Sequence, residues 1–342
     1  MRGHDEDGTN FSAMIVFMVE KSLWLPVADE QALKNPVAVR LLDHPLVLWR
    51  DSSGALHAWT DRCPHRGARL SMGHVVQDRL QCPYHGWQFD TQGQCRRVPA
   101  LPEFTPPAGY CASVHAVQSR HGLIWVRLEG QGSESGPPPF PDESSGLRLL
   151  NCGPYEVATS APRTVENFLD MAHFSFVHEG WLGAADHPEI EPYEVEETQA
   201  GLRARRCIAW QPRSNLHSTA AAQVEYTYEV TGPYSAMLTK IPEAGSTRLS
   251  HWQEAIGLFI CPVSAESSRV WFRLAMADHE SSDEALASFQ HTIFCQDQPV
   301  LESQQPKRLP LEPRSELHTS VDRLSTAYRR YLRQLNISFG VC

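Results

Sequence analysis

Two short segments bring sulfur and imidazole together. Cys63-Pro64-His65 and, after sixteen intervening residues, Cys82-Pro83-Tyr84-His85 form a C-x-H, C-x-x-H pair on turn-rich stretches. Four soft or borderline ligands in so short a span suit a metal. Zinc would accept two thiolates and two imidazoles in a tetrahedron. A zinc finger, however, tends to offer Cys-Cys and then His-His, whereas each segment here gives one Cys and one His. A two-iron, two-sulfide cluster whose irons are ligated unequally, two Cys on one and two His on the other, is met by two such loops facing each other.

A second group lies in Glu166-Asn167-Phe168-Leu169-Asp170-Met171-Ala172-His173-Phe174-Ser175-Phe176-Val177-His178. Helical spacing over residues 162–178 predicts one helix, with Asn167, Asp170 and His173 on a shared face. His173 and His178 are separated by about 140° on an ideal helix. Both reach one metal only if the helix bulges or ends between them. By spacing alone, a solvated Asp170 and two core histidines fit equally well.

The motifs carry a resemblance. Cys63-Pro64-His65-Arg66-Gly67 with Leu70, and Cys82-Pro83-Tyr84-His85-Gly86-Trp87 with Phe89, Asp90 and Gly93, resemble the cluster-binding loops of Rieske proteins. The order Asn167-x-x-Asp170-x-x-His173-x4-His178 is similar to the iron-binding helix of Rieske non-haem iron oxygenases. The resemblance spans both halves of the chain. It implies a Rieske [2Fe-2S] cluster on Cys63, His65, Cys82 and His85, with Gly67 and Gly86 letting backbone amides approach sulfide. It also implies a mononuclear Fe(II) on His173, His178 and a downstream carboxylate, Asp297 or, one turn later, Glu302. Asp170 resembles the acidic residue that hydrogen-bonds a ligand histidine and bridges to a cluster histidine, His85, of the next chain. The resemblance thereby implies a ring of subunits, most often a homotrimer. Asn167 resembles a residue near the iron that is not usually counted as a ligand.

The elements that must position these residues divide the chain. Residues 1–13 read as a polar, flexible extension, and residues 14–129 as a small all-β domain of short apolar strands broken by turns. Gly, Ser and Pro dominate a linker over 130–141. Residues 142–342 form a catalytic domain with period-two segments at Val224–Val230, Tyr234–Ile241, His251–Cys261 and Arg269–Ala277, and helical spacing over Asp283–Gln304 and Glu316–Leu335. The expected class is α+β, with a long antiparallel sheet covered by helices, and the resemblance implies a helix-grip, START/Bet v1-like form. Alternation makes Trp210, His217, His251, Phe259 and Phe272 candidates for substrate contact, with core packing as their competing role. Asp278, Glu280 and Asp283 read as turn and cap residues.

Composition excludes several classes. Forty acidic residues against 30 basic ones, a formal charge of −10, leave no electrostatic footprint for nucleic acid or an anionic membrane. The early apolar run Met14–Val19 is far shorter than the ~20 residues a membrane span needs, and shorter than a signal segment, so a cytoplasmic chain is expected. Nine scattered cysteines, an odd number, fit reduced thiols. Against that acidity, Arg62, Arg66, Arg69, Arg79, Arg96 and Arg97 face only Asp78 and Asp90 in their stretch, a basic surface that suits an acidic electron donor. No GxGxxG follows an expected strand, so electrons come from a separate NAD(P)H-dependent reductase, a ferredoxin, or both.

The function the resemblance implies is a terminal oxygenase. Electrons enter at the Rieske cluster and pass to Fe(II), which activates dioxygen to hydroxylate, or O- or N-demethylate, an aromatic or other hydrophobic small molecule. Within the family the chain looks like vanillate and dicamba demethylases and pheophorbide a oxygenase. Aromatic cis-dihydroxylation and a Rieske electron carrier without oxygenase activity are the alternatives.

Overall fold

Alternating apolar residues build two successive β systems in a computed structural model that describes residues 18–130, 136–213, 220–241 and 254–342. The expected extension over 1–13 and part of the expected linker, 131–135, lie outside the described residues, as do His217 and His251. The first β system has strands β1 (Leu25–Asp29), β2 (Val37–Leu41), β3 (His44–Arg50), β4 (Leu56–Thr60), β5 (His74–Val76), β6 (Arg79–Gln81), β7 (Gln88–Phe89), β8 (Cys95–Arg97), β9 (Val114–Arg120) and β10 (Leu123–Arg127). Six of them form a sheet in the order β1-β10-β9-β4-β3-β2, and β5-β6-β7-β8 form a smaller one. Trp49 and Trp59 meet edge to face, ring centroids 5.1 Å apart, in a small core that also holds Cys63, Leu70, Leu80, Cys82 and Phe89. The two Cys-containing loops therefore rest on packed aromatic and aliphatic side chains.

The second β system is a seven-stranded antiparallel sheet. Its strands are β11 (Arg148–Val157), β12 (Glu194–Glu197), β13 (Leu202–Gln211), β14 (Ala222–Gly232), β15 (Ser235–Lys240), β16 (Ala255–Ser264) and β17 (Ser267–Met276), ordered β11-β17-β16-β15-β14-β13-β12. Period-two burial is clear in β14, where Val224, Tyr226, Tyr228 and Val230 turn inward. Helices α1 (Ala161–Leu169), α2 (Phe174–Val177), α3 (Asp283–Ser303) and α4 (Arg323–Gln334) accompany the sheet. The last helix begins later than the spacing predicts, because Thr319 and Asp322 cap each other reciprocally just before it.

The single helix expected over 162–178 is broken in two. Asp170 adopts an extended backbone (φ −90°, ψ 135°) and its Oδ1 accepts from the Ala172 amide at 2.8 Å. A short acidic side chain thus competes with the helical ladder and stops it. Asn167, Asp170 and His173 consequently do not continue one helical face. Behind α1, Arg163 Nη2 meets Glu316 Oε1 at 2.6 Å and Arg329 Nε meets Glu166 Oε1 at 2.6 Å, with both arginines buried. Removing one partner from a buried pair of this kind costs about 3–5 kcal/mol, so the network fixes α1 firmly against α4.

The two β systems share a continuous interface. The Leu42 and Asp43 amides donate to the Pro262 and Val263 carbonyls at 2.7 and 3.1 Å, and Trp271 Nε1 donates to Asp29 Oδ2 at 3.1 Å. His121, at the β9–β10 turn, stacks on Phe259 with centroids 5.7 Å apart, and its Nε2 donates to the Pro138 carbonyl at 2.9 Å. Burial, aided by the nearby Arg273 and Arg120 and opposed by the Pro138 carbonyl, lowers the His121 pKa from 6.5 to about 4. The unfolded chain therefore binds a proton near pH 6.5 that the folded chain refuses until about pH 4, and stability falls as pH drops through that window. His121→Phe should flatten this segment of a Tm-against-pH curve. Parallel curves for the two proteins would contradict the assignment.

Candidate metal centres and substrate cavity

The first candidate centre is built by the loops after β4 and β6. Gly67 (φ 74°) and Gly86 (φ 70°) adopt the left-handed backbone that a tight turn requires. Their own amides donate to the Cys63 and Cys82 carbonyls at 2.9 and 3.1 Å, closing the turns. The expectation that Gly67 and Gly86 let backbone amides come close agrees with these tight turns. The backbone amides that approach the Cys63 sulfur are those of His65 and Arg66. Cys63 and Cys82 are buried, and the His65 and His85 rings lie 4.7 Å apart. Burial pushes the Cys63 thiol up to about 11, so a bound metal must displace its proton. Desolvation, with the nearby His85 and Arg66, lowers the His65 pKa and favours the neutral, ligating imidazole. His65 Nδ1 is buried without a hydrogen-bond partner, an orphan that a metal would satisfy. The donor set and this orphan fit an iron–sulfur cluster.

The second centre joins elements distant in sequence. His173 and His178 flank the single turn of α2, and Asp297 comes from the buried face of α3. Their facing atoms are close: His173 Nε2 to His178 Nε2 3.2 Å, His173 Nε2 to Asp297 Oδ1 3.4 Å, and His178 Nε2 to Asp297 Oδ1 3.2 Å. Metal bonds of roughly 2.1 Å at right angles place donors about 3 Å apart, so the triad fits one ion. The opposite ring nitrogens are tied outward. His173 Nδ1 donates to Asp170 Oδ2 at 3.1 Å and His178 Nδ1 to Gln296 Oε1 at 2.8 Å, which leaves both Nε2 lone pairs facing inward. Burial raises the Asp170 pKa, but the His173 contact and the Ala172 and His173 amides outweigh it and hold the carboxyl below its usual range. Asn167 Nδ2 reaches Asp297 Oδ1 at 3.4 Å.

Of the two carboxylates considered downstream, only Asp297 joins the histidines. Glu302 is engaged elsewhere, accepting from the Ala158 amide at 3.1 Å and Gln298 Nε2 at 2.8 Å. Asp278 serves a turn, accepting from the amides of Glu280 and Ser281, and Asp283 pairs with Arg148.

Comparison with known proteins decides the family. Residues 157–336 match the vanillate O-demethylase oxygenase C-terminal domain, and residues 23–117 match the Rieske [2Fe-2S] domain. The chain belongs to the Rieske non-haem iron oxygenases. This oxygenase is 32% identical to the methylxanthine N1-demethylase NdmA of Pseudomonas putida over 325 residues, 92% of this chain and 89% of that one. A solved structure of NdmA with caffeine superposes with a TM-score of 0.78 at 29% identity, covering 92% of this chain and 90% of that one. The probable methylxanthine N7-demethylase NdmC of Pseudomonas sp. (strain TJI-51) is 38% identical over 228 residues, 66% of this chain and 79% of that one. The oxidoreductase NdmD of Pseudomonas putida is 38% identical over 108 residues, covering 31% of this chain and 18% of that one. As a member of its family, this oxidoreductase uses a Rieske cluster and a mononuclear iron. Among its described residues, no helix is long and apolar enough to cross a membrane.

The oxygenase has a cavity of about 580 Å³ beside the triad, within the range of roughly 300–1,000 Å³ usual for small-molecule sites. Helices supply His173, His178, Gln290 and Asp297, and the sheet supplies Gln211, Tyr226 and Phe272. Of the substrate-contact candidates read from alternation, Phe272 lines the cavity. Trp210 instead stacks on His187, and Phe259 packs between His121 and Trp125 at the interface of the β systems. Sequence reasoning missed Gln296, Gln290, Gln211 and Tyr226. Only the position of Gln296 beside Asp297 could have drawn notice. If Asp297 completes the triad, Asp297→Ala loses the third iron while the reduced cluster keeps its EPR signal, and Glu302→Ala keeps all three. Iron retained by Asp297→Ala would contradict the geometry.

Proposed function

We propose that this oxygenase removes an N-methyl group from a planar, neutral heteroaromatic ring of the methylated purine type. The observation that carries the reading is the cavity lining. Beside the triad, its buried hydrogen-bonding groups include the amides of Gln211 and Gln290 and the phenols of Tyr226 and Tyr228, set among aromatic and aliphatic side chains, while the charged Arg213, Lys240, Glu254, Asp278 and Glu280 also line the cavity and are less buried. Neutral amides and a phenol suit ring carbonyls and ring nitrogens better than a benzoate's carboxylate. Two relatives named as methylxanthine demethylases point the same way.

In this reading Cys63 and Cys82 hold one iron of the cluster, His65 and His85 the other, and His173, His178 and Asp297 hold the mononuclear iron. Bound there, the cluster supplies single electrons and the mononuclear iron activates dioxygen. The chain's own residues do the rest. Asp170 positions His173, fixes its proton on Nδ1 and, in a homotrimer, bridges toward a neighbouring copy's exposed His85. Gln296 fixes the His178 proton in the same way. The cavity walls hold the methyl group toward the triad and limit water. Overall, one oxygen atom enters a methyl C–H bond and the other leaves as water, using two electrons and two protons. The hydroxymethyl product then releases formaldehyde.

Electrons come from a separate reductase with or without a ferredoxin, in the cytoplasm, consistent with the similarity to the oxidoreductase NdmD. Arg66, Arg69 and Arg97 are exposed and, among the described residues, take part in none of the ion pairs, whereas Arg96 is paired with Asp90. They form the docking face for an acidic donor. Raising ionic strength should slow cluster reduction by the physiological donor, and a salt-independent rate would remove this assignment.

The main test is iron and acid-labile sulfide per chain on anaerobically purified protein, followed by turnover with N-methylated purines and a reductase. Three irons, two sulfides, a Rieske-type EPR signal and formaldehyde matching oxygen uptake are expected. Two irons and two sulfides with no third metal after Fe(II) addition would leave an electron carrier. Full iron with cis-diol as product would favour dihydroxylation.

A further inference from the structure

The cavity has two chemically different walls. Helices provide the candidate metal ligands, and the sheet provides polar groups that those ligands do not use, Gln211, Tyr226, Tyr228 and Lys240 among them, of which the first two are bonded to each other. Gln211, at the end of β13, and Tyr226, on β14, are 1% and 8% exposed and both line the cavity. Gln211 Nε2 donates to the Tyr226 hydroxyl at 2.8 Å, and among the described residues neither side chain makes another hydrogen bond. That leaves a remainder to be accounted for. Gln211 retains an acceptor oxygen and a second N–H, and Tyr226 retains its own O–H. If the amide is turned over, Gln211 accepts from Tyr226 and offers its NH₂ beside the phenol oxygen. In either arrangement the pair keeps at least one free donor and one free acceptor close together.

Because both side chains line the cavity, the unused positions are open to a ligand that enters it. Burial also keeps the Tyr226 phenol neutral, so it remains a donor at any working pH. The complement of an adjacent donor and acceptor is an adjacent acceptor and donor. A ring lactam or imide, with N–H beside C=O, has that edge, whereas a carboxylate has two acceptors and an N-methylated lactam has lost its donor.

We infer that Gln211 and Tyr226 are specificity-determining residues that read an unmethylated N–H/C=O edge of the substrate ring, opposite the methyl group presented to the triad. This rests on the N-demethylase reading above and sharpens it: the favoured substrates are partly methylated rings with one free lactam edge. Sites built to hydrogen-bond a ligand group reject analogues lacking it, because their own buried groups are then left unpaired.

Two probes separate the cases, and both are ligands of solved NdmA structures. Theobromine carries a ring N–H flanked by carbonyls, and caffeine carries a methyl group on that nitrogen. Binding to the iron-loaded, oxidised enzyme under anaerobic conditions is measured by calorimetry, with 4-methoxybenzoate as a carboxylate comparison. Theobromine should bind at least about tenfold more tightly than caffeine. Gln211→Leu and Tyr226→Phe should each weaken theobromine binding several-fold to about tenfold with little effect on caffeine, drawing the ratio toward one. The cluster EPR signal and iron content report whether each variant is folded. Equal binding of both xanthines by the parent enzyme, or a ratio unchanged in both folded variants, overturns the role of this pair and leaves the N-demethylase reading standing. Failure of both xanthines to bind, with or without binding of 4-methoxybenzoate, overturns the pair and the reading together.

Discussion

The mononuclear site depends on a carboxylate that ends a helix. Asp170 accepts from the Ala172 amide through one oxygen and from His173 Nδ1 through the other, so one side chain both breaks α1 and orients a candidate ligand. Had the helix continued, His173 and His178 would have diverged by about 140° and could not face one point. The break places them at the two ends of the single turn of α2, with Nε2 atoms 3.2 Å apart. A histidine ring is useful to a metal only when its far nitrogen is fixed, and here the fixing residue is also the source of the backbone geometry.

Everything around that break keeps it in register with α3, which brings Asp297. The Arg329–Glu166 pair ties α1 to α4, and Glu316, in the segment before α4, accepts from both Arg163 and Arg329, so the break occurs at a defined place above the sheet. The desolvation cost of such pairs offsets much of their attraction, but loss of one partner would leave the other charge buried and unpaired. The sheet beneath contributes the opposite property: an extended, mostly apolar floor that carries a few polar side chains, of which Gln211 and Tyr226 are bonded to each other.

Much of this was legible in the sequence. The Cys63/His65 and Cys82/His85 loops declare themselves because metal chemistry restricts residue type and spacing together. Strand positions in β14 were readable from period-two alternation, and Asp297 was identified within its segment. What could not be read is equally instructive. The helix over 162–178 failed because an Asp in mid-pattern gives no sign of which backbone groups it will capture. Gln296, Gln290 and Gln211 carry no signature, since a glutamine becomes a site residue only through what the fold places beside it. That the Gly67 and Gly86 amides close their own turns, leaving other amides for the sulfur, is a detail set by hydrogen-bond accounting rather than by glycine as such.

Helix α3 carries residues of two kinds on one buried face. Gln290 lines the cavity and Asp297 belongs to the triad, seven positions further along an element of 21 residues. They are separated by about 10 Å of continuous helix, which behaves as a short stiff rod. One helix therefore supplies both a wall of the cavity and a candidate metal ligand, so a shift or rotation of α3 as a body moves the two together.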